Sequence, residues 1–235
     1  MRAAIRFHSL LLVEEKLFEA EYFLRQLPRK RGYEHGFELN AFLSAARSVT
    51  FLMQKELSKV PGFVDWWENR RGEMRCDPAM RFFTDLRNYS QKEGRVSIHG
   101  CGLGLRQWSH WFASAQIDVP DELREIEVAD ACRLHLAKLA QLVLDCAEAF
   151  PFHTCPHRAL TPGGIRALSI NLDDLDEALG YSRGLSDHKG FGEDERLSFF
   201  RRHFDAVDFQ AILRLSRLKE RRGRKIIPIF RQASI

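Results

Sequence analysis

The sequence predicts an all-α fold: a helical bundle with a small hairpin insertion, followed by a smaller helical section. Three observations carry this. Leu39, Phe42, Leu43, Ala46, Val49, Met53 and Leu57 recur at the i, i+3, i+4, i+7 spacing of one helix face. Leu123, Ile126, Cys132, Leu136, Leu139, Leu142, Val143 and Cys146 do the same over 121–149. The breaks between such stretches are short and carry Pro or Gly, which suits antiparallel neighbours in a bundle.

Taken in order, residues 8–27 read as an amphipathic helix. Leu11, Leu12, Phe18, Tyr22 and Leu27 lie on its apolar face, and Glu14, Glu15, Lys16 and Glu19 mostly on the other. Pro28 and the run Arg29-Lys30-Arg31-Gly32 end it. A second helix is expected over 36–59, stopped by Pro61-Gly62. A short helix over 63–73 is anchored by Phe63, Trp66 and Trp67. Asp77-Pro78 then supplies an N-cap and a first-turn proline for a helix running to Lys92, with Gly94 as its stop. Residues 95–117 break the pattern. Gly100, Gly102 and Gly104 alternate among Val96, Ile98, Leu103 and Leu105, as in a short hairpin. After the long helix 121–149, the stretch 151–164 holds three prolines and Gly163-Gly164, which sets a boundary: a bundle over 1–150 and a helical extension over 151–235. The extension reads as a segment 172–179, a loop 180–194 and a helix from 195 to 221 with a break near Asp205.

Composition narrows the class. Hydrophobic residues make up 45% of 235 and charged residues 29%, with 15 Gly and 8 Pro, which excludes a fibre and a disordered chain. The net charge of +4 permits nucleic-acid binding without requiring it. No stretch approaches the ~20 apolar residues of a membrane span, so no membrane association is expected. Five cysteines at irregular spacing suit free thiols and a cytoplasmic location.

The helix after Pro78 ends in Leu86-Arg87-Asn88-Tyr89-Ser90-Gln91-Lys92-Glu93-Gly94, a cluster of polar groups in two turns. A helix end facing only water carries such a cluster at no cost. A long helix like 39–57 followed by a helix ending in a Leu-Arg-Asn turn also resembles the HEPN superfamily of helical bundles. Many of its members are ribonucleases of toxin–antitoxin, CRISPR and antiphage systems, with an Arg, a polar residue and then a His. The resemblance implies a metal-independent endoribonuclease of a prokaryotic defence system, with RNA as partner, no cofactor, and a homodimeric cleft. It implies Arg87 on the phosphate and Asn88 beside it. The positions of the family's His carry Lys92, Glu93 and Gly94 here, and His99 is the nearest later histidine. Lys92 and His99 are therefore the third members to test. The rival reading is a non-catalytic helical module for dimerisation or protein-partner binding.

Other candidates are weaker. His153, Cys155 and His157 are residue types that zinc takes, in a proline-stiffened loop that needs no metal. No metal site is assigned. Arg221, Arg222, Arg224 and Lys225 form a basic run that suits RNA phosphates or a solvated helix end. The glycines at 100, 102 and 104 lack the lysine of a phosphate-binding loop. Trp66, Trp67, Trp108 and Trp111 read as core aromatics. Asp173, Asp174, Asp176 and Glu177 read as an exposed helix start.

Overall fold

A computed structural model describes residues 7–103, 107–187 and 192–219. The chain is mostly helical, 67% by residue, with eleven α-helices and one two-stranded antiparallel sheet among the described residues. The sheet makes it a mostly helical fold rather than a purely α one.

Helices α1 (Leu11–Gln26), α2 (Gly32–Leu57), α3 (Phe63–Cys76) and α4 (Pro78–Lys92) come first. The hairpin β1 (Ile98–Leu103) and β2 (Gln107–Phe112) follows, then α5 (Asp121–Arg124) and α6 (Val128–Ala149). The Asp77 cap forms as read: its carboxylate accepts from the Met80 amide at 3.0 Å. Helix α2 starts four residues before the expected 36. Its first two turns carry Tyr33 and Phe37 on the solvent side, so the core-facing pattern that begins at Leu39 hides the true start. The expected helix 121–149 is two helices, because Glu127 is extended (φ −60°, ψ 145°) and caps α6.

Beyond residue 150 lie α7 (Pro156–Ala159), α8 (Pro162–Ala167), α9 (Leu172–Ala178), α10 (Glu193–Arg201) and α11 (Phe209–Ser216). The expected helix 195–221 breaks between 202 and 208 because its halves serve different cores. Leu197 and Phe200 of α10 join Leu160, Ile165 and Leu175 in a small cluster. Ile212 and Leu215 of α11 enter the main core with α1, α2, α4 and α6. Two buried carboxylates of α1, Glu14 expected on the solvent side and Glu21, hold α11 there. Glu14 accepts from the Asp208 amide at 2.7 Å, and Glu21 makes a two-pronged pair with the Arg214 guanidinium at 2.7 and 2.8 Å. That hydrogen-bonded pair pulls the Glu21 carboxyl below the usual carboxylate range, while burial raises Glu14.

In the small cluster, Asp176 is fully buried. The Ser186 amide and hydroxyl donate to it at 3.2 and 2.8 Å, and Arg196 donates to Ser186 and to Asp173, both at 2.7 Å. The acidic run at 173–177 is thus in part an interior network rather than a wholly exposed helix start.

No helix among the described residues is long and apolar enough to cross a membrane.

Candidate functional site

The hairpin's inner face is a graded ladder. Register pairs Ile98 with Phe112, Gly100 with His110 and Gly102 with Trp108, and alternation puts these six residues on one side. Phe112 packs edge-on against Phe82 and Phe83 of α4, at 5.0 and 6.0 Å between ring centres. Two residues out, His110 stacks on His35 of α2 at 3.7 Å and 21°. Two further out, Trp108 lies near-parallel to His110 at 6.5 Å, and the Arg31 guanidinium sits 5.5 Å from the Trp108 ring centre. Gly100, opposite His110, lets the rings lie close to the strand. A Cβ at Gly100 would stand 3.3 Å from His110 Cδ2 and 3.6 Å from Trp108 Cε3. That glycine, part of the alternation read from the sequence as a hairpin bend, leaves room for large rings across the strand pair.

His35 is buried, and its Nδ1–H donates to the Leu27 carbonyl at 3.0 Å. A carbonyl only accepts, so the tautomer is set and Nε2 is left as a bare acceptor, buried without a partner. Burial lowers the His35 pKa. Burial, then His35, then Arg31 push His110 down to about 4. Both rings are therefore neutral at pH 7, and together they clasp the hairpin to the head of α2.

The start of α2 and the hairpin also carry exposed aromatic and basic side chains. Tyr33 is 70% exposed, Phe37 66% and Trp108 42%. The Arg95 guanidinium lies 4.3 Å from the Tyr33 ring centre and donates to the Gly32 carbonyl at 3.2 Å. Trp67 and Trp111 are buried as expected, but Trp108 is not a core residue. Sequence reasoning missed this cap. Its only signals were the exposed side of the first two turns of α2 and the glycine–aromatic alternation across the hairpin.

The residues singled out from the sequence lie elsewhere. Arg87 and Asn88 are half-buried in the last turns of α4, Lys92 is exposed at its end, and His99 is exposed on β1. Among the described residues, no hydrogen bond or ion pair joins His99 to Arg87, Asn88 or Lys92. Arg87 Nε is buried without a partner. Arg47 of α2 feels the Arg87 charge, and burial first, then that like charge, lower its pKa. Arg221, Arg222, Arg224 and Lys225 lie outside the described residues. The zinc-type residues do not converge: His157 Nε2 donates to the Phe204 carbonyl at 2.8 Å, Cys155 is buried in the main core, and His153 faces His8 at 6.3 Å. No group of three metal-ligand side chains occurs among the described residues. A cleft of about 370 Å³ beside Pro78, Phe82 and Pro120 holds Arg124 and Asp121 already paired with each other at 2.7 Å.

Residues 31–130 match the family model described as bacteriophage lambda protein ea47, less than half of the chain. Over 62 residues the chain is 36% identical to protein ea47 of Escherichia phage lambda, a stretch covering 26% of this chain and only 15% of that relative. No solved structure matches. The matched segment contains α2 and α4, the two helices on which the HEPN resemblance rested, and no HEPN family is found. That resemblance is therefore corrected: the chain is similar to an ea47 protein, and the RNA-binding, ribonuclease, antiviral-defence and toxin–antitoxin expectations fall with it. A helix of common apolar periodicity and a three-residue Leu-Arg-Asn turn are features that many unrelated helical proteins share. The matched segment also spans the whole clasp, from Arg31 through His35 to Trp108 and His110.

Proposed function

We propose that this chain is a helical docking module that binds a protein partner through the aromatic and basic cap where α2 meets the hairpin. One observation carries the reading. Tyr33 and Phe37 stand exposed on the first two turns of α2 and Trp108 on β2, with guanidinium groups laid on Tyr33 and Trp108. Large exposed aromatics leave apolar surface in water, a cost that a monomer gains nothing from. Trp, Tyr and Arg are also the residue types that dominate binding energy at protein interfaces. The clasp supports the same reading, because the buried His35–His110 stack holds Trp108 and Arg31 in place before any partner arrives.

The test places a photo-crosslinking phenylalanine analogue at position 37, and in a second protein at position 64. Val64 is an exposed residue of α3, outside the cap. Irradiation in the source cells is expected to give a defined protein adduct from position 37 that is absent from position 64 and lost on Trp108→Ala. Equal labelling from both positions, or none from either, overturns the reading.

A further inference from the structure

The outer face of α2 suggests what the partner is. Three large aromatic side chains stand out along it: Tyr33, Phe37 and, further along the helix, Phe51, which is 62% exposed. All three project in nearly the same direction as Ser44. At about 100° per residue, Phe37 and Phe51 lie within about 20° of the Ser44 direction, and Tyr33 and Lys55 do too. The spacing is symmetric. Phe37 and Phe51 are each seven residues from Ser44, and Tyr33 and Lys55 are each eleven from it. At the midpoint stand Ser44 and Ser48, whose hydroxyl donates to the Ser44 carbonyl at 2.9 Å, and the exposed Arg47 beside them donates to the Thr50 hydroxyl at 3.0 Å.

A stripe that is its own mirror in sequence fits an isologous two-fold contact, in which residue i meets j and j meets i. We propose that the partner is a second copy of this chain, docked by α2 against α2 in antiparallel register, with the two-fold axis passing by Ser44. Phe37 then packs on Phe51 of the partner subunit at both ends of the contact, and Lys55 meets Tyr33 of the partner subunit. The latter is the kind of cation–aromatic pair that Arg95 already makes with Tyr33 within one chain. Small serines at the crossing let the backbones approach. The area is sufficient: six aromatic side chains, each about two-thirds exposed and worth roughly 200 Å² in full, supply about 800 Å². That approaches the ~1,000 Å² of a specific interface before any flanking polar residue is counted. The proposal rests on the docking reading, since it names the occupant of the cap's α2 side, but it adds Phe51, which lies outside the cap.

The register can be tested by charge exchange at exposed positions, which leaves the core untouched. Molar mass is measured by light scattering after size exclusion, on the full chain from about 1 to 100 µM, the range in which modest interfaces associate. Wild type is expected to be dimeric at the upper end. Phe51→Glu and Phe37→Lys alone are each expected to give monomers. The double variant is expected to recover the dimer, because antiparallel pairing sets the introduced lysine of one copy against the introduced glutamate of the other. Circular dichroism confirms that each variant is folded. A wild type that is monomeric throughout overturns the proposal. So does a double variant that stays monomeric, since that outcome denies the register. If position 37 still crosslinks to a different protein while wild type is monomeric, the docking reading stands and the second-copy proposal alone fails.

Discussion

His110 is the residue through which acid should open the clasp. In the folded chain its ring is buried between His35 and Trp108 and beside Arg31, and it stays neutral down to about pH 4. In the unfolded chain it takes up a proton near the ordinary value of about 6.5. The unfolded state therefore binds more protons between these two values, so stability rises with pH across that window. The contribution is complete above pH 6.5 and is lost as pH falls from 6.5 toward 4. At pH 5 the gap below 6.5 is about 1.5 pH units, which at 1.36 kcal/mol per unit is about 2 kcal/mol. His110→Phe keeps a flat ring against His35 and removes the titrating nitrogen. The assay is urea unfolding of wild type and variant at pH 7.5 and pH 5. Wild type should lose about 2 kcal/mol more than the variant between the two. Other histidines titrate in both proteins and largely cancel in the difference. Equal losses would show that His110 is not held neutral by this packing, and the clasp as described would be wrong.

Three further results are expected. His135 is stacked on Phe83 at 4.2 Å, and burial pushes its pKa down to about 3; its Nδ1 has no partner. His135→Leu should flatten the acid limb of the stability curve and leave the chain at least as stable as wild type at pH 5, measured by thermal unfolding across pH. Arg196→Ala strips the buried Asp176 network of its cation, which for a broken buried pair costs about 3–5 kcal/mol. Hydrogen exchange should rise over 160–187 and 192–201 while α2 and α6 stay protected. Gly164→Ala drives a Cβ to 2.2 Å from the Ala159 carbonyl oxygen, a backbone clash that cannot relax by rotating a side chain. The same segment should loosen, and loss of the Leu160–Ile165 packing should appear as a lower first transition on heating.

Much of the fold could be read because it rests on local chemistry. The Asp77-Pro78 start, the Pro61-Gly62 stop and the core face of α2 each act within a few residues, and the structure keeps all three. The hairpin was legible for the same reason, through its glycines and β-branched neighbours. The splits at Glu127 and at 202–208 were harder, because a continuous apolar pattern does not say which core each half will serve. The cap was illegible for a deeper reason. His35 and His110 are far apart in sequence, and only the packing of hairpin on helix stacks them. Burial of Glu14 and Glu21 likewise depends on Asp208 and Arg214, nearly the whole chain away. Arg87 and Asn88 belong to a polar helix end, which is conspicuous in a sequence, whereas the exposed aromatics of α2 look like ordinary core residues until the helix is placed.

The most direct test of the docking cap is hydroxyl-radical footprinting of the chain in two states: isolated natively at working concentration from its source cells, and purified and diluted. Protection of Tyr33, Phe37 and Trp108 in the native sample, with Val64 equally oxidised in both, is the predicted result. Equal oxidation of all four residues in both states would contradict the claim that this cap is where the protein meets its partner.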